Sequence, residues 1–239
     1  MSDLPEEYSE VPSSALAVYA HPDDAEISCA GTLARWIASG SRVHLVICAM
    51  GDKGSPEADS DVEALTKERA LEVARAAEVL GLASVRQLQL RDGEFENDLQ
   101  LRAELVRLIR TIRPQAVVCP DPQAVFFGDH YYNHRDHRVV GWTTLDAVAP
   151  AASSPLYFPD AGAAHRVSAV FLSGSLEANV TVDISATIYA KAQAVLCHRT
   201  QLGSDQDWLR SVVFERAAEA GRERGLDFAE SFRLIRLGG

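Results

Sequence analysis

The chain has 239 residues, 47% hydrophobic and 24% charged, the balance of an ordinary globular protein; collagen, coiled coil and wholesale disorder are excluded, and one domain of this length buries its own core. Acidic residues outnumber basic ones 34 to 23, for a formal charge of −11, which argues against nucleic acid or an anionic membrane surface as the main partner. No apolar run approaches the ~20 residues of a membrane span.

Residues 1–14 open with two prolines and several acids in MSDLPEEYSE and its continuation. They are expected to form a loose leader, too acidic for a secretory signal, with 15–239 as the single domain. ALAVYA (15–20) is a short apolar run, followed by a helical pattern from Ala25 to Ser39 that Gly40 closes. RVHLVICAM (42–50) is a second, partly β-branched run leading into the polar loop 51–61. From Val62 to Leu80 apolar residues recur at three and four, and Gly81 stands where a C-cap glycine belongs. VRQLQL (85–90) alternates; 97–114 opens on Asn97 or Asp98 as a cap and stops before Pro114. AVVCP (116–120), RVSAVFL (166–172), NVTVDI (179–184) and FRLIRL (232–237) are further strands, and 184–197 and 207–224 further helices. The long irregular stretch 150–165 is expected to wrap a rim or a subunit contact. Cys29, Cys48, Cys119 and Cys197 lack CxxC spacing and read as reduced, mostly core thiols of a cytoplasmic protein.

Strands alternating with helices imply βαβ units: an α/β fold with a Rossmann-like, mostly parallel sheet and helices on both faces. Ligands of such sheets bind outside the carboxyl ends of the strands, here just after Ala20, Met50, Leu90 and Cys119. Neither GxGxxG nor GxxxxGK[ST] occurs, which weakens a nucleotide-binding reading.

Chemistry-bearing residues concentrate at two of those strand ends. The first strand runs into His21-Pro22-Asp23-Asp24, where His21 and Asp24 are close enough across one tight turn to share a cation. The plainer alternative is that Asp23 or Asp24 only caps the following helix. After AVVCP, three of the seven histidines fall within HYYNHRDH (130–137), with His134 and His137 three apart at the start of a helical stretch. A solvated, aromatic-rich loop is the alternative there. Both clusters should lie on one edge of the sheet. Two histidine nitrogens and one carboxylate oxygen suit Zn²⁺ with a position open for water, the arrangement of a catalytic site; Fe²⁺ or Co²⁺ fits the same ligands. A spare aspartate beside them would serve as general base in a hydrolysis.

AHPDDAEISCAGTLA together with YNHRDHR resembles the PIG-L/LmbE-like family of zinc-dependent N-acetylglucosamine deacetylases, and the likeness extends over roughly residues 15–201. The resemblance implies His21, Asp24 and His137 as zinc ligands and Asp23 as the base. It implies His134 as the residue that stabilises the oxyanion or protonates the leaving amine, and Asp136 as the carboxylate that orients a histidine. Arg69 would hold the sugar conjugate and Asp92 would contact a substrate hydroxyl; an ordinary helix-surface charge and an Asp-Gly turn residue are the alternatives for these two. The family further implies a small-molecule amino sugar as partner and a homo-oligomer, dimer or hexamer. Ala25 before Glu26 departs from the commonest HPDDE pattern, which bears on the identity of the substrate and not on the metal residues. Two other functions compete: a zinc amidase acting on a larger acyl or thiol-conjugate amide, and a non-catalytic member that only binds metal or ligand.

Overall fold

A computed structural model describes residues 4–55, 57–203 and 205–238, so residues 1–3 of the expected leader and Pro56 of the polar loop lie outside the described residues. The elements in order are β1 (Glu6–Glu7), β2 (Ser14–Tyr19), α1 (Asp24–Ala38), β3 (Arg42–Ala49), α2 (Val62–Leu80), β4 (Ser84–Leu90), α3 (Leu99–Ile112), β5 (Ala116–Pro120), the two short strands β6 (Phe126–Phe127) and β7 (Tyr131–Tyr132), and α4 (Arg135–Asp146). Then follow β8 (Ala169–Ser173), β9 (Val180–Asp183), α5 (Ile188–Val195), α6 (Arg199–Leu202), α7 (Gln206–Arg222) and β10 (Ala229–Arg236).

One sheet of eight strands runs in the order β1-β9-β10-β8-β5-β2-β3-β4, and β10 alone is antiparallel to its neighbours. β2 is buried from Ala15 to Tyr19, and its alternate residues feed two cores. Ala15, Ala17 and Tyr19 face Leu33, Trp36, Ile188 and Val213 beneath α1, α2, α5 and α7. Leu16, Val18 and Ala20 face Leu105, Ile109 and Val140 of α3 and α4. Period-two alternation in a strand covered on both faces is why the run reads as continuously apolar. The expected α/β sheet with helices on both faces is thus the architecture observed.

The chain leaves β2 toward β3 on one side and returns to β5 on the other. This reversal makes the carboxyl ends of β2 and β5 a topological switch point, where the two motifs meet.

Two sequence expectations need correction. The leader is not loose throughout: β1 pairs parallel with β9 at the sheet edge, and Tyr8 packs edge-on against Phe171. Its residues carry no periodicity because a two-residue edge strand needs none. The stretch 150–165 is not irregular throughout: helical turns occupy Ala147–Ala152 and Pro159–Ala161, and the buried Arg110 of α3 donates to the carbonyls of Ala151, Ala152, Ser154, Tyr157, Phe158 and Gly162. Cys29, Cys48 and Cys119 are buried, and all four cysteines are free. No helix among the described residues is long and apolar enough to cross a membrane.

Candidate active site

The chain turns from β2 into α1 through Asp23, whose backbone takes φ 98° and ψ −28°. That left-handed conformation costs a non-glycine residue on the order of 1–3 kcal/mol and marks functional turns. Asp23 occupies the N-cap position of α1, but its side chain makes no capping hydrogen bond, so capping does not account for it. Its carboxylate is instead buried, 4.0 Å from the Arg69 guanidinium. Asp24 turns back over the loop, and its Oδ2 accepts the His21 backbone N–H at 2.7 Å.

His137, one turn into α4, arrives from the β5 side. Its Nε2 lies 3.1 Å from Asp24 Oδ1 and 3.3 Å from His21 Nδ1, and His21 Nδ1 lies 3.4 Å from Asp24 Oδ2. Ligand atoms at about 2.0–2.1 Å from a tetrahedral metal sit about 3.3 Å from one another. His21, Asp24 and His137 therefore already stand at the spacing of a ligand triangle. The three histidines His21, His134 and His137 also come together, with one nitrogen of each within 4.8 Å of the others, a looser set than the one containing Asp24.

The outward ring nitrogens are fixed by the protein. His21 Nε2 lies 3.2 Å from Oδ2 of Asp136, a fully buried carboxylate that also takes the Gly93 N–H at 2.7 Å. His137 Nδ1 lies 3.0 Å from Asn133 Oδ1. Such partners set tautomer and ring orientation in metal-binding histidines. His134 is the N-cap of α4, and its Nδ1 accepts the Asp136 backbone N–H at 3.2 Å. Its remaining proton is then on Nε2, which makes the ring a neutral donor.

The electrostatics favour a cation within the triangle. Burial opposes charge on His21, but Asp136 and Asp24 outweigh it and hold the ring at about 10. Burial likewise opposes charge on Asp24, yet His137 and His21 keep its carboxyl far below the usual range. Asp23 goes the other way: burial and the Asp24 carboxylate raise it to about 7, against the opposing Arg69 and His198. Burial and neighbouring His21 hold His134 below its ordinary value. A nitrogen-nitrogen-oxygen donor set, oriented from behind and surrounded by carboxylates, fits a divalent metal.

Residues 16–148 match the family model described as PIG-L, GlcNAc-PI de-N-acetylase, which spans both strand-end clusters. The chain is a member of the PIG-L family. It is 30% identical over 228 residues to the diacetylchitobiose deacetylase of Thermococcus kodakarensis, covering 92% of this chain and 82% of that one. It is 32% identical over 206 residues to a 1D-myo-inositol 2-acetamido-2-deoxy-α-D-glucopyranoside deacetylase of Streptomyces scabiei, covering 72% of this chain and 61% of the relative. The solved structure of N,N'-diacetylchitobiose deacetylase from Pyrococcus horikoshii, complexed with its inhibitor, superposes with a TM-score of 0.84 at 25% identity, covering 94% of this chain and 84% of that one.

Around the PIG-L motifs lies a cavity of about 550 Å³, lined by His21, Asp23, Arg69, Asp92, His134 and His137 and flanked by Tyr131 and Gln201. Arg69 is buried, which rules out a helix-surface role, and donates to the carbonyls of Gly51 at 2.9 Å and Pro22 at 3.1 Å. Gly51, at φ +74°, and Gly54 are where they are because a Cβ on either would overlap that guanidinium. Asp92 accepts the backbone N–H groups of Gly51 and Lys53, using two of a carboxylate's roughly four acceptor positions. It therefore ties the loop after β3 to the loop after β4 and keeps capacity toward the cavity.

Sequence reasoning missed Asn133, Gly93, the glycine pair and a buried pair behind the base, His198 with Glu26, 3.4 Å apart and each 1% exposed. Asn133 had a usable signal, since it stands four residues before His137 at the start of a helix. His198 and Glu26 had none, being 172 positions apart in the chain.

Proposed function

We propose that this protein is a zinc-dependent N-deacetylase that hydrolyses the acetamido group of an N-acetylglucosamine-containing small molecule or conjugate. The observation that carries the reading is the buried Asp23 carboxylate beside a ligand triangle in a cavity of about 550 Å³. A carboxylate held beside the metal position is placed to take a proton from a water there. The names of the Thermococcus and Streptomyces relatives support an acetylated amino sugar as substrate, and the donor set supports zinc, with Fe²⁺ or Co²⁺ as substitutes.

His21, Asp24 and His137 would hold the metal, with Asp136 and Asn133 orienting the two rings. When bound, the metal acidifies a water and polarises the acetamide carbonyl. Asp23 takes the proton of the attacking water at its carboxylate as the oxygen bonds to the acetyl carbon. His134 donates its Nε2–H to the carbonyl oxygen that gains charge, a contribution worth about 3–4 kcal/mol for comparable donors. The C–N bond then breaks, and the proton held by Asp23 passes to the leaving amine, giving acetate and the free amino sugar. Arg69 fixes the turn that carries Asp23 and borders the substrate cavity, where Asp92 offers an acceptor to a sugar hydroxyl. The same reading takes the protein as a homo-oligomer.

The test is amine release from free N-acetylglucosamine, its disaccharide, and the malate and inositol conjugates, using metal-stripped protein with and without added Zn²⁺. Zinc-restored release from any of these supports the reading. Silence across the panel with one metal bound per chain moves the substrate elsewhere and favours an amidase for a larger acyl group. Silence without metal binding refutes the site.

A further inference from the structure

A second concavity, of about 290 Å³, lies between α1, α5, α7 and β10. Val195, Leu209, Val213 and Ala217 form its apolar wall, and Trp208 stands at its rim more than half exposed. Of its three charged lining residues Arg216 is exposed to solvent, and the two buried ones are spent on each other and on the backbone. Lys191 Nζ lies 2.6 Å from Glu230 Oε1 and donates to the Ile27 carbonyl at 2.7 Å. Glu230 in turn accepts the N–H groups of Gly31 and Thr32. A cavity whose buried charges are internally paired offers little to an ion and much to an apolar group.

Its position decides the occupant. Ile27 and Leu202 line both this pocket and the catalytic cavity, and the Ile27 N–H bonds to the Asp23 carbonyl, so the shared wall stands one helical turn, about 5.4 Å, from the proposed base. The two spaces are neighbours on either side of these two side chains. On the deacetylase reading the acyl group is acetyl, whose methyl ends one bond from the reacting carbon and reaches no such distance. The part of the substrate that extends past Ile27 and Leu202 is then the substituent on the sugar.

We propose that this pocket is an aglycone subsite that takes an uncharged, apolar substituent, of the size of one aromatic ring, on the amino sugar. The inference rests on the deacetylase reading for the polar end of the substrate, and it makes the protein selective for conjugates over free sugar. Leu202 stands between the two spaces, and Trp208 supplies a flat face to an incoming ring.

The zinc-loaded protein is assayed on the methyl and phenyl β-glycosides of N-acetylglucosamine, with the N-hexanoyl methyl glycoside as a third substrate. The affinities of the first two are measured by calorimetry on Asp23→Asn protein. The phenyl glycoside is expected to gain about tenfold in kcat/KM, chiefly through KM, as burial of one aromatic ring provides. Ala220→Phe, which fills the pocket from α7, brings the ratio close to one; Trp208→Ala, at the exposed rim, lowers it part-way and covers the case in which the filled variant does not fold. Turnover of both glycosides with equal kcat/KM and equal affinity overturns the subsite and leaves the deacetylase standing. No turnover of either, with tighter phenyl binding that Ala220→Phe abolishes, overturns the reaction and leaves the subsite. Preference for the hexanoyl substrate, lost in Ala220→Phe, overturns the assignment to the aglycone. Binding of neither glycoside overturns it as well.

Discussion

Replacing Asp136 by asparagine removes the negative charge behind His21 while keeping the side chain's shape. In the wild type a single oxygen, Oδ2, faces His21 Nε2 at 3.2 Å and the Gly93 N–H at 2.7 Å, while Oδ1 faces the Arg135 guanidinium at 3.3 Å. All three partners are donors. An asparagine must turn its NH₂ toward one side of this set, setting donor against donor in a place with no solvent access. Exchanging a charge-assisted bond to His21 for a neutral one loses about 1 kcal/mol, and the mismatched donor adds about 1–2 kcal/mol. The total of about 2–3 kcal/mol corresponds to a loss of roughly 30–140-fold in metal affinity at about 1.4 kcal/mol per tenfold, toward the upper end of the effects found for partners of metal-bound histidines. Competition against a chromophoric chelator at constant pH measures it, with thermal unfolding of the metal-free protein as a control on folding. An affinity within threefold of wild type refutes the idea that Asp136 sets the orientation and basicity of His21.

Asp23→Asn is expected to bind one metal per chain and to lose about 10²–10⁴-fold in kcat, read by amine release alongside metal analysis; substantial turnover with metal bound removes Asp23 from its role. Gly51→Ala forces a side chain into a left-handed backbone position and against Arg69, so it should lower stability by about 1–3 kcal/mol and slow turnover, as Tm and kcat would show. Arg110→Met leaves six carbonyls without their donor; if water satisfies about half of them, the loss is still about 3 kcal/mol, a Tm drop of about 6–12 °C, with new proteolytic cleavage within 150–165. Burial opposes charge on His198, but Glu26 outweighs it and raises the pKa above 6.5. The stability contributed by the charged ring is therefore full below about pH 6.5 and fades as pH rises through the raised value. His198→Gln should flatten the dependence of Tm on pH above about 6.5, and an unchanged profile would show that the pair contributes nothing.

What the sequence made legible was local or periodic. ALAVYA and RVHLVICAM announce strands buried on both faces, and Gly81 marks the end of α2 at φ +76° as a C-cap glycine should. His21, Asp23 and Asp24 fall on one turn, and His134 and His137 on another, so each half of the site could be read from spacing. Their meeting follows from the topology, since both turns leave the carboxyl ends of adjacent parallel strands. The β6–β7 hairpin was legible only as composition: Phe126 pairs with Tyr132 and Phe127 with Tyr131, strands too short for any period to appear. Contacts between distant segments left no trace either. Nothing near position 200 signals that Thr200 donates to Glu72 through both its backbone N–H and its hydroxyl, and Arg110 looked like one more charge on an amphipathic helix.

The glycine-lined guanidinium also governs which walls of the cleft are free to vary. Any side chain added at Gly51 or Gly54 collides with Arg69 before it reaches substrate, so that wall cannot be remodelled one substitution at a time. The β6–β7 hairpin, which brings Tyr131 to the cavity lining, carries exposed side chains at Tyr131 and Tyr132 and no such cradle. New substrate preferences on this scaffold should therefore arise there, by changes in one half of the cleft that leave the other half, and the chemistry fastened to it, untouched.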